Sequence, residues 1–150
     1  MGKQTGLTLM ELMVVIAIIG IISAIATPNA ISWVRNAEFS SAVRKVKITL
    51  EDMRTKALKS CAPSKIIFNN DNTLQIIKWD RDLNPPGYGP SQEYKLRGDI
   101  TVSSDFAGNE IVYNSRGMAQ HGLIDIQSGS GLCRRIEVFM VGSSRIIKCP

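Results

Sequence analysis

Few residues in this chain are of a type that could do chemistry: Glu11, His121 and the cysteines Cys61, Cys133 and Cys149. No two cysteines lie two to four residues apart, so they match no zinc-binding pattern. In an oxidising compartment they would give one disulfide and one spare thiol. Three pairings are open. The pair Cys133 with Cys149 is favoured because it encloses the final hairpin and ties down a terminus, and three reduced cysteines are the bland alternative. His121 sits in a Gly/Gln loop with no acid, serine or cysteine at a suggestive spacing, and reads as a surface side chain. Asp80, Asp82, Asp99 and Asp105 form no calcium-loop series. Gly129-Ser130-Gly131 lacks the lysine and helix of a phosphate loop. The residues therefore point to no catalytic group, no metal and no cofactor.

Glu11 is the residue that asks for an explanation. It stands at the start of an apolar run whose stretch from Leu12 to Val34 carries no charge. A membrane-spanning helix needs about 20 such residues, and a carboxylate within it costs a few kcal/mol unless something compensates. The preceding Met1-Gly2-Lys3-Gln4-Thr5-Gly6 is short and carries one positive charge, which favours a cytoplasmic N-terminus with the remainder exported. A removable secretory signal is the competing reading. Against it stand the brief leader, the lack of a clean small-x-small site near Ser23 to Ala26, and Glu11 itself.

The stretch Gly6-Leu7-Thr8-Leu9-Met10-Glu11-Leu12-Met13-Val14-Val15-Ile16-Ala17-Ile18-Ile19-Gly20 resembles the class III leader and transmembrane start of type IV pilins and type II secretion pseudopilins. The resemblance implies cleavage after Gly6 by a prepilin peptidase that also methylates the new amine at Leu7. It gives Glu11 the part of the family's assembly glutamate and Pro28 that of a helix-loosening proline, to which Gly20 adds a second soft point. The usual first mature residue is phenylalanine, and Leu7 keeps its apolar character. A cation freed at Leu7 could pair with the Glu11 carboxylate of a neighbouring subunit, since a paired buried charge is tolerated where a lone one is not.

The remaining elements follow from periodicity. Phe39, Val43, Val46, Leu50, Met53 and Ala57 recur at four- and three-residue steps, the signature of a helix with one buried stripe. Pro63 ends that pattern. One helix from Leu7 to about Lys59 would be ~80 Å long. Beyond it the period becomes two. A hairpin is expected from Lys65–Phe68 and Thr73–Trp79 across an Asn/Asp turn, then a segment from Asp80 to Ser91 containing Asn84 to Pro90, a loop with no ladder capacity. Strands follow at Gln92–Leu96, Ile100–Ser103, Glu110–Tyr113, Gly122–Gln127, Arg134–Val141 and Ser144–Lys148. The fold class is α+β, a long N-terminal helix packed on an antiparallel sheet. Residues 1–6 read as the leader, 7–34 as the transmembrane and assembly segment, 35–61 as the amphipathic periplasmic helix and 62–150 as the head.

Within the family, the head's layout resembles the minor pseudopilins of the GspH and FimT-like group: Ile111 to Gly117, Gly122 to Ile126, then Arg135 to Phe139 before a C-terminal cysteine. This implies a minor subunit of a type II secretion pseudopilus or type IV pilus that helps initiate or cap assembly. It would be single-pass in a bacterial inner membrane, with its head in the periplasm. Implied partners are other pilin subunits, the peptidase and N-methyltransferase, the inner-membrane assembly platform and membrane lipid. DNA is the alternative partner. Some FimT-like pilins carry a basic segment near the last strand, and Arg134, Arg135, Arg145 and Lys148 are the corresponding cations here. Formal net charge is only +5, and Arg145 and Lys148, three apart on one strand, would face opposite sides.

Overall fold

The computed structural model describes residues 8–69 and 72–150, without the side chains of Ala26, Pro28 and Asn29. Helix α1 runs Leu9–Ser60. Thr8 starts it. Its hydroxyl accepts a hydrogen bond from the Glu11 amide at 3.3 Å, the usual service of an N-cap side chain. At the other end Cys61 adopts a left-handed φ of 48°. There the Ala62 amide reaches back to the Ala57 carbonyl at 3.3 Å, which satisfies a helix-end acceptor in the manner of a Schellman turn.

Packing divides the chain into residues Met1–Asn36 and Ala37–Pro150. In the first unit the described large apolar side chains, among them Leu12, Ile16, Ile19 and Ile22, are exposed. Among the described residues no single helix is long and apolar enough to cross a membrane; Leu9–Ile25 and Ala30–Ser60 pass together as a broken pair, by length and composition. The helix is continuous through Gly20.

Among the described residues, the second unit joins the amphipathic part of α1 to nine antiparallel strands: β1 Ser64–Phe68, β2 Thr73–Asp80, β3 Gly87–Tyr88, β4 Gln92–Lys95, β5 Ile100–Ser104, β6 Glu110–Tyr113, β7 Gly122–Ser128, β8 Cys133–Val138 and β9 Ser144–Lys148. They form two antiparallel sheets. The first has the order β3-β2-β1-β6 with β4 also on β2; the second has the order β5-β7-β8-β9. The expected stripe of Phe39, Val43, Val46, Leu50, Met53 and Ala57 is buried, and the inward residues of both sheets share one core with it. Ile66, Phe68 and Leu74 come from the first sheet, and Val102, Ile124, Ile126, Ile136 and Val138 from the second. Two sheets form because both must lay an apolar face on the same helix stripe.

Two expectations are corrected. The loop from Asn84 to Pro90 is not free of ladder pairing, because Gly87 and Tyr88 pair with Asp80 and Trp79. A Trp79–Tyr88 edge contact at 5.3 Å accompanies that pairing. The penultimate strand stops at Val138 instead of Val141, because a tight loop takes over. The Phe139 amide donates to Ser143 O at 2.9 Å, and the Gly142 amide donates to Phe139 O at 2.7 Å. Gly142 has φ 79°, the left-handed position of a three-residue hairpin loop with a glycine bulge.

Candidate assembly and binding surfaces

Gly6 and Leu7, the expected processing junction, lie outside the described residues. Glu11 stands in the first turn of α1, where a carboxylate complements the helix dipole. With Thr8 three residues before it, Glu11 occupies the third helical position of a Thr-x-x-Glu capping pattern. The capping threonine is legible in the sequence only through its spacing, three residues ahead of a glutamate at the start of an apolar run. Glu11 thus has a local structural role available in the isolated chain, beside the intersubunit role that the family resemblance gives it.

At the far end of the chain, Cys133 and Cys149 form a disulfide between facing positions of β8 and the residue following β9. The pairing register makes this natural: Arg134 faces Lys148, so one step outward brings the two cysteines opposite each other, with Cα atoms 5.8 Å apart. Cys61 is the free, exposed thiol.

The four cations considered for DNA contact do not form one surface. Arg134 pairs across from Lys148, in line with the core residues Ile136 and Ile146 on the inward side of the sheet. Arg135 and Arg145 occupy the outward side, in line with Asp125, Glu137 and Ile147. Both outward arginines are held by acids. Arg135 makes two bonds to Asp125, at 2.6 and 2.8 Å, and Arg145 donates to Glu137 at 3.1 Å. His121 approaches the same Glu137 at 3.5 Å. The bond from Arg135 holds the Asp125 carboxyl below its usual range, and the aspartate in turn holds the guanidinium charged. Sequence spacing does not point to Asp125, which lies ten residues from Arg135. The signal was the Ser128–Gly131 turn, which sets those two positions opposite each other. Among the described residues no group of three or more His, Cys, Asp or Glu side chains could hold a metal.

The N-terminal residues 1–27 match the prokaryotic N-terminal methylation motif. Over 118 residues the chain is 31% identical to the type IV major fimbrial protein FimA of Dichelobacter nodosus, covering 72% of each. The chain belongs to the type IV pilin family. Solved structures agree on the fold. The minor pseudopilin EpsH of the Vibrio cholerae type 2 secretion system superposes with a TM-score of 0.62 at 13% identity, covering 74% of this chain and 97% of EpsH. The type IV minor pilin FimU of Pseudomonas aeruginosa gives 0.60 at 16% identity, covering 79% and 92%. Family membership makes this pilin a structural subunit that assembles with other pilins and is processed by a prepilin peptidase. In this pilin the helix-plus-sheet head is the pilin fold.

Proposed function

We propose that this pilin is a minor subunit, a minor pilin or pseudopilin that helps initiate or cap a type IV pilus or a type II secretion pseudopilus. The observation that carries the reading is the combination of Gly6, Leu7 and Glu11 with an apolar helix whose described side chains are exposed in the isolated subunit. Exposed leucine, isoleucine and valine on this scale need a bilayer before assembly and a helical bundle afterwards. The head's likeness in fold to EpsH and FimU supports the minor role. The subunit would rest in the inner membrane with residues 7–34 spanning it and residues 35–150 in the periplasm. The assembly platform and lipid complete its partners. The protein acts by packing and carries out no catalysis.

The DNA-uptake reading draws little support from the head, since Arg135 and Arg145 are each spent on a carboxylate and phosphate binding needs several cations together. Intact-mass measurement of the chain from its native membrane tests the proposal. The expected mass is that of residues 7–150 plus one methyl group. A chain beginning near Thr27 would overturn it in favour of an ordinary secretory signal.

A further inference from the structure

Resting on the reading of this chain as an assembling pilin, we propose that β9 is an acceptor edge onto which an acid-bearing extended segment of another pilin subunit adds as the next strand of the second sheet.

Three observations meet there. The first is backbone. β9 ends the order β5-β7-β8-β9 and has β8 as its single sheet neighbour. The hairpin loop bonds Phe139 to Ser143, so the hydrogen-bonded pairs of the antiparallel ladder continue at Glu137 with Arg145 and at Arg135 with Ile147. The amides and carbonyls of Ser144, Ile146 and Lys148 are thereby turned away from β8, as a row of donors and acceptors suited to an added strand.

The second is charge. Arg134 and Lys148 face each other directly across β8 and β9, an arrangement that destabilises a sheet unless something intervenes. Neither makes an ion pair among the described residues, whereas Arg135 and Arg145 are both neutralised. A strand added beside β9 would set one of its residues opposite Lys148 on that same inward side. An aspartate or glutamate there would answer both cations.

The third is apolar surface. Ile146, two positions along on the same side, is only partly covered and packs against the edge of the core. An apolar residue two places from the acid would cover it. The occupant is thus defined by pattern: acid, any residue, apolar. A second copy of β9 fits badly, since Ser144-Arg145-Ile146-Ile147-Lys148 contains two cations and no acid, and such edge charge selects against self-pairing. A nucleic acid would use the two cations but leave the row of backbone groups unpaired.

The test uses the full chain in detergent micelles with three probes: a blocked peptide alternating glutamate and valine, one alternating lysine and valine, and a single-stranded oligonucleotide. Binding is read by fluorescence anisotropy and by amide hydrogen exchange at single-residue resolution. The glutamate peptide is expected to bind and to slow exchange at Ser144, Ile146 and Lys148, with Arg145 and Ile147 already protected in the free chain. Lys148→Glu, at an exposed position, should weaken the glutamate peptide roughly fivefold and favour the lysine peptide. Lys148→Gln should fall between the two. Unchanged exchange at the three outward amides would overturn the inference. So would concentration-dependent dimers through β9, or binding of the oligonucleotide in place of the peptide. None of these outcomes bears on processing at Gly6, so failure here is distinguishable from failure of the assembly role.

Discussion

Gly142 shows how much a single position can decide. Its φ is 79°, and a Cβ there would come within 1.9 Å of the Gly117 carbonyl oxygen, a backbone atom that cannot swing aside. Gly117 is itself wedged against Leu58 of α1, so the loop, the last hairpin and the helix are locked by two glycines. Gly142→Ala should cost about 2 kcal/mol or more in urea unfolding. Gly131→Ala, with φ 84° and nothing within 4 Å, should cost about 1 kcal/mol from backbone conformation alone. Equal losses would mean that crowding at Gly142 contributes nothing. The Asp125–Arg135 pair makes a second residue-scale prediction. Because Asp125 titrates lower in the folded chain than in the unfolded one, its contribution is present above the unfolded value of about 3.9 and disappears as pH falls through the folded value. Stability measured across that acid range should therefore fall more steeply for the native chain than for Asp125→Asn, and parallel curves would refute the pairing.

Among the elements, β9 is an edge strand, held in its sheet from one side. It is five residues long, borders β8 alone in its sheet and contributes Ile146 to the edge of the core. The Cys133–Cys149 disulfide closes a loop with a sequence separation of 16, for which chain entropy gives about 3 kcal/mol. Replacing both cysteines by alanine should lower global stability by about that amount and speed amide exchange in β9 far more than in β7, which is flanked by two strands. Uniform acceleration through the second sheet would show instead that β9 and β7 open together. Helix α1 needs no such clasp in its head-packed part, where Val46, Leu50, Met53 and Ala57 are at most 1% exposed.

For the whole molecule, the decisive question is what Glu11 does once subunits meet. The Thr-x-x-Glu spacing offers its side chain the third position of a capping box, and the assembly reading offers the amine of a neighbour. The two roles separate by substitution. Glutamine serves at the third position of a capping box nearly as well as glutamate, but carries no charge. If pairing with a neighbour's amine governs assembly, both Glu11→Gln and Glu11→Ala should insert into the membrane and fail to co-purify with the other pilins. If capping governs, Glu11→Gln should assemble like the native chain and only Glu11→Ala should suffer.

What the sequence determined by itself was local. The three-and-four spacing from Phe39 to Ala57 depends only on helix geometry, so the buried stripe was legible residue by residue, as were the alternating strands of the hairpin from Lys65 to Trp79. The leader stretch up to Glu11 was legible for another reason: its chemistry is packed into consecutive residues. The tertiary structure decided everything that depends on which strand lies beside which. Period two says that Ile66 and Ile124 face inward, but not that they belong to separate sheets sharing one helix. Nor does it say that Arg135 meets Asp125, or that Arg134 faces Lys148. Those pairings are set by register between distant segments, and register is chosen by the packing of the whole core.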